Sequence, residues 1–112
     1  MDGKFTKFSY GAKTNLELYG TKVAPEYNLK NIKVPTKLYV GESDFLSTVE
    51  GAKKLSEELP NSMGYHVVDK PEWNHIDFAF SAHVRSLVFN YLISDMNRFR
   101  DMTVTKVMKT KV

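Results

Sequence analysis

The chain has 112 residues, 16 Lys and Arg against 13 Asp and Glu, and no cysteine. This is one domain's worth of chain, given typical domains of about 100–150 residues, which excludes a multidomain enzyme within it. The absence of Cys excludes disulfides, Cys-based metal sites and a Cys nucleophile, and 42% hydrophobic with 26% charged residues is ordinary globular usage.

Residues 1–40 carry seven Lys against Asp2, Glu17 and Glu26, a local balance of +4. Residues 1–27 mix aromatics with glycines and read mostly as loop, with a short helical turn near Thr14–Tyr19. No basic–apolar–small pattern opens the chain, so no intact signal peptide is expected in it. Pro35 to Val40 (PTKLYV) is a β-favouring run that ends at Gly41. Leu38 and Val40 would share one face of this strand and Tyr39 the other. Pro35 suits its first position, where a missing N–H does least harm.

The middle of the chain, residues 41–96, is acidic, with nine acids against four bases. A helix is expected after the polar Glu42-Ser43-Asp44, with Ser47 and Glu50 as a capping box. Val49, Ala52, Leu55 and Leu59 give it an apolar stripe, and Pro60 and Asn61 end it. Gly64 then opens a second strand, Tyr65–Val68. Strand, crossover helix and strand normally make a right-handed parallel pair. Pro71 to Asp77 is a loop. A last helix is expected over Ser81–Phe99, from Val84, Leu87, Val88, Tyr91 and Leu92 at helical spacing. No run of about 18 apolar residues occurs, so no transmembrane helix is expected. The fold class is α/β.

Residues 97–112 carry five bases against Asp101 and form a basic extension. Such a segment is commonly a solvated tail, though anionic lipid is a conceivable partner. It lacks zinc-finger spacing, an RNA-binding aromatic signature and a helix-turn-helix pattern, so no nucleic-acid partner is expected.

Chemistry in open α/β sheets collects beyond the carboxyl ends of the strands. Two polar loops sit there: Gly41-Glu42-Ser43-Asp44 and Trp73-Asn74-His75-Ile76-Asp77. If the strands are adjacent and parallel, Asp44 and His75 become neighbours. That is the acid–base half of a Ser–His–Asp machine, in which the acid orients the base and the base takes the nucleophile's proton. Each residue also has an ordinary reading. A loop Asp ahead of a helix is commonly a turn or cap former, and a loop His a surface group. Glu42 is a rival acid. Asp77 ranks below Asp44, because so close a sequence neighbour constrains the ring poorly; it also suits a helix cap. His66, inside a strand, and His83, on a packing helix, are poorer bases. No G-x-S-x-G elbow is present, and Ser43 reads as a loop residue. No phosphate cradle or metal-ligand pair at helical spacing occurs, so no cofactor or metal is expected.

Several stretches carry a family likeness. They are Phe8-Ser9-Tyr10-Gly11, Asn15 with Tyr19-Gly20, and the run from Pro25 through Tyr27-Asn28-Leu29 to Val34-Pro35-Thr36. Leu38 through Ser47, Trp73 through Phe78, and Val88 through Ile93 continue it. Together they resemble the C-terminal part of the acid lipase family, α/β-hydrolases that include gastric and lysosomal acid lipases. The likeness covers roughly residues 3–96. It implies that 1–96 is the C-terminal part of an α/β-hydrolase domain, with Asp44 as triad acid and His75 as triad base. It implies a neutral lipid ester as substrate, lipid-surface contact, and a secreted or lysosomal setting. Ser9 departs from the family's usual Asp, and Phe80-Ser81-Ala82 from its usual aromatic-Gly ending. The serine elbow, oxyanion hole and cap of the family lie upstream of the matched region. These residues alone are therefore expected to be inactive. The alternative is a non-catalytic fragment or pseudo-enzyme that binds lipid or a partner.

Overall fold

In a computed structural model, residues 4–110 are described. Thr36–Val40 forms strand β1 and Ser62–Val67 forms β2, and the two pair in parallel. Helix α2, Val49–Glu58, crosses between them and packs on both, with Ala52 and Leu59 buried. This is the expected crossover unit, and the architecture is a partial α/β fold.

The register departs from the expectation at one place. Thr36 faces Ser62, but Leu38 faces Tyr65, so β2 holds one extra residue there. Gly64 sits inside this bulge at φ +82°, a backbone conformation that only glycine adopts without strain. Gly64 therefore kinks the strand rather than opening it. The strand starts earlier, at Ser62, because the Thr36 N–H donates to the Asn61 carbonyl at 3.1 Å and pairs Thr36 with Ser62.

The α2 cap also differs from the expected Ser47–Glu50 box. Thr48 is the N-cap, its Oγ1 accepting the Gly51 N–H at 3.1 Å. The helix starts one residue later than that box requires, and the Ser47 N–H, which Glu50 would have accepted, is held by Asp44 Oδ1 instead.

The expected last helix, Ser81–Phe99, is built in two pieces, and a further short helix precedes it. A four-residue helix α3, Asp77–Phe80, follows the histidine loop. A π turn, Arg85–Phe89, comes next and presents Val88 to the core. Helix α4, Asn90–Thr110, then runs past Phe99, so the described part of the basic extension continues a helix. Residues 111–112 lie outside the described residues. Tyr39 Oη donates to Asp95 Oδ2 at 2.8 Å and ties α4 to β1.

The core gathers Val68, Trp73 and Val88, with Tyr39, Phe78, Val84 and Leu87 against them. Trp73, two residues ahead of His75, anchors the histidine loop in it. Residues 5–27 form a separate lobe around α1, Ala12–Tyr19, which is longer than the single turn expected. The lobe is closed by the Lys7 N–H to Pro25 carbonyl bond (2.9 Å) and the Tyr27 N–H to Phe5 carbonyl bond (2.7 Å). Buried Asn15 holds it from within, accepting from the Tyr10 N–H and donating to Ser9 Oγ and the Lys22 carbonyl.

Candidate active site

Asp44 lies in the turn that leaves β1. Its own N–H donates to the Gly41 carbonyl at 3.3 Å. Its two carboxylate oxygens have separate tasks. Oδ1 accepts the N–H groups of Leu46 and Ser47 at 2.9 and 2.8 Å. Oδ2 stands 2.9 Å from His75 Nδ1. The turn-forming reading of Asp44 and its pairing with histidine are thus both present, on different atoms.

The carboxylate is nearly sealed, at 3% exposure, while the His75 side chain is 52% exposed. Burial pushes the Asp44 carboxyl up. The Ser47 N–H, the His75 ring, the Leu46 N–H and the charge of His75 outweigh it and hold the carboxyl below its ordinary value. Asp44 is therefore ionised at neutral pH and can only accept hydrogen bonds. Nδ1 of His75 must then carry the proton of the 2.9 Å contact. In neutral imidazole this leaves Nε2 as a lone-pair acceptor, the tautomer a general base requires.

The loop bearing His75 is internally braced. Trp73, 1% exposed, packs edge-on against Phe78 with ring centroids 5.7 Å apart. Asn74 Oδ1 accepts the Ile76 N–H at 2.9 Å, and Asp77 Oδ2 accepts the Asn74 N–H at 2.9 Å. Asp77 thus braces the loop at the start of α3 and makes no bond to the imidazole.

Glu42 is exposed and stands outside the pair. His66 lies in β2 between the rings of Tyr39 and Tyr91, at 5.6 and 4.8 Å, and His83 is exposed ahead of the π turn. Ser43 Oγ donates to the Pro71 carbonyl at 2.7 Å, a tie between the two loops that its polarity alone does not reveal. Among the described residues, no three His, Asp or Glu side chains converge as a cation site.

A parallel strand pair with a buried carboxylate and a half-exposed imidazole at its carboxyl edge belongs to the α/β class, and homology narrows it to the α/β-hydrolases. No family model matches the chain. Lipase 3 of Drosophila melanogaster is 37% identical over 87% of the chain and 25% of its own length. Lipase member M of Homo sapiens is 32% identical, over 86% of the chain and 22% of its own length. Human lysosomal acid lipase/cholesteryl ester hydrolase is 29% identical, over 87% and 24% respectively. The chain is thus related to the acid lipase family, and it spans about a quarter of the length of these curated relatives.

Proposed function

We propose that residues 1–96 are the C-terminal part of a lipase-type carboxylic ester hydrolase, with Asp44 as acid and His75 as base. The observation that carries this is the 2.9 Å contact between a buried, ionised carboxylate and His75 Nδ1, on loops leaving two parallel strands. In the complete enzyme, His75 Nε2 takes the proton of a serine hydroxyl as the oxygen attacks the ester carbonyl. The same nitrogen returns that proton to the departing alkoxide, leaving an acyl-serine. Water then attacks the acyl carbon, losing its proton to Nε2; the bond to the serine oxygen breaks, that oxygen takes the proton back from Nε2, and the carboxylic acid is released. Asp44 keeps the ring in the Nδ1–H tautomer and offsets the charge of the imidazolium.

The 112 residues contain no G-x-S-x-G elbow, so on this reading the nucleophile is supplied by sequence outside them. The substrate class is a neutral lipid ester, in keeping with relatives named as lipases and as a cholesteryl ester hydrolase. A secreted or lysosomal setting is part of the same reading, in keeping with a relative named lysosomal acid lipase, and residues 97–112 are read as an extension of the hydrolase part.

The test is a graft. Residues 4–96 replace the matching segment of Drosophila Lipase 3, and hydrolysis of a chromogenic fatty-acyl ester is followed. An active graft is expected. His75→Ala and Asp44→Asn in it should each lower kcat by a factor on the order of 10⁴ or more. A folded graft whose activity survives His75→Ala overturns the assignment.

A further inference from the structure

The acid and the base sit on different loops, and one side-chain hydrogen bond does not fix how far apart two loops stand. Contacts just ahead of each residue do. The Ser43 N–H donates to the Trp73 carbonyl at 3.0 Å, and Ser43 Oγ donates to the Pro71 carbonyl at 2.7 Å. Gly41 presses on that same Trp73 carbonyl. A Cβ at position 41 would collide with the carbonyl oxygen and stand 2.9 Å from both the carbonyl carbon and the indole Cδ1. Its backbone is outside the glycine-only region, so the missing side chain, not conformational freedom, is what the position uses.

Trp73 has no room to retreat, because it is 1% exposed and packed among Val68, Phe78 and Val88. Three residues ahead of Asp44 and two ahead of His75, the loops are therefore held by a close approach. Two hydrogen bonds from Ser43 add direction to it.

We propose that Gly41 and Ser43 are positioning residues. They clamp the loop of Asp44 to the backbone just ahead of His75, so that the pair is assembled before any nucleophile is present. The inference rests on reading Asp44 and His75 as acid and base. Neither positioning residue touches the reacting atoms. Their work is to hold Oδ2 within reach of Nδ1, where a displacement of about 1 Å costs a catalytic pair on the order of a hundredfold in rate.

The signature of the pair is its tautomer. Free imidazole favours the Nε2–H form, whereas a ring donating to Asp44 holds the Nδ1–H form. The test uses the 112-residue chain, labelled with ¹⁵N and kept dilute enough not to scatter light, with long-range ¹H–¹⁵N spectra of its three histidines at neutral pH. His66 and His83 serve as internal controls, and circular dichroism follows the helices. In the unmodified chain His75 is expected as the Nδ1–H tautomer. Ser43→Ala should shift it measurably toward Nε2–H, with helix signal and control histidines unchanged. Ser43→Thr, which keeps a hydroxyl, should largely restore it. Gly41→Ala should abolish the Nδ1–H form, and if that variant also loses helix signal, Ser43→Ala decides.

Asp44→Asn separates the two claims. If it releases the Nδ1–H form while Ser43→Ala leaves it intact, the clamp is wrong and the acid–base pair stands. If neither substitution moves His75, pair and clamp fall together.

Discussion

At Asp44 a structural duty and a proposed chemical one share a single carboxylate. Oδ1 builds the turn through Leu46 and Ser47, and Oδ2 meets His75. Because the folded carboxyl titrates below its ordinary range, it contributes stability in full above the unfolded value of about 3.9. That contribution is lost as pH falls through the folded value. Acid titration of Trp73 fluorescence should therefore show the chain weakening below about pH 4, and Asp44→Asn should flatten that limb while lowering stability at neutral pH. An unchanged acid limb in the variant would assign the weakening to other carboxylates. The Asp44–His75 contact was legible in the sequence because each residue lies in a polar loop that follows a strand. The ties from Ser43 and Gly41 were not legible. Sequence patterns report polarity and period, while a backbone carbonyl accepting across 28 residues leaves no mark on either.

At the level of elements, the strand–helix–strand order could be read from apolar periodicity, but the joints between elements could not. The bulge at Gly64, the Thr48 cap and the π turn are set by which backbone groups find partners. A single glycine or threonine in a sequence fits several such arrangements. Gly64→Ala should cost about 1–2 kcal/mol, the strain of placing a Cβ at a left-handed position, read as a lowered urea midpoint. Thr48→Ala should cost about 1 kcal/mol through the lost cap. The anchor of α4 is testable by pH. Burial, then the hydrogen bond to Asp95 and its charge, push the Tyr39 phenol up to about 12. The neutral phenol is favoured in the fold, so its stabilisation is complete below the ordinary tyrosine value of about 10 and lost as pH rises toward 12. Asp95→Asn should bring the Tyr39 midpoint down in a spectrophotometric titration and detach α4 at lower pH. Titration of that phenol at its old position would dismiss Asp95 as the cause.

The whole molecule has too much surface for its size. Its accessible area is 8803 Å², against about 6,300 Å² for a folded monomer of this mass. Its radius of gyration is 18.3 Å, against about 13 Å for a globular chain of this length, and its shortest extent is 19 Å. The excess is partly apolar: Phe8, Val23, Phe45, Ile76, Phe80 and Met96 are all more than 60% exposed. The sheet has two strands, each with one edge unpaired among the described residues, and two-stranded sheets are marginal in water. In the proposed complete hydrolase this surface lies against the rest of the sheet and its helices. The 112 residues by themselves should therefore bind a hydrophobic dye such as ANS, unfold over a broad thermal range and scatter light increasingly with concentration. Supplying the missing surface should reverse all three. In the Lipase 3 graft the same residues should unfold in one sharp transition with little dye binding. A sharp, concentration-independent transition of the isolated chain at micromolar concentration would show instead that its exposed faces need no cover.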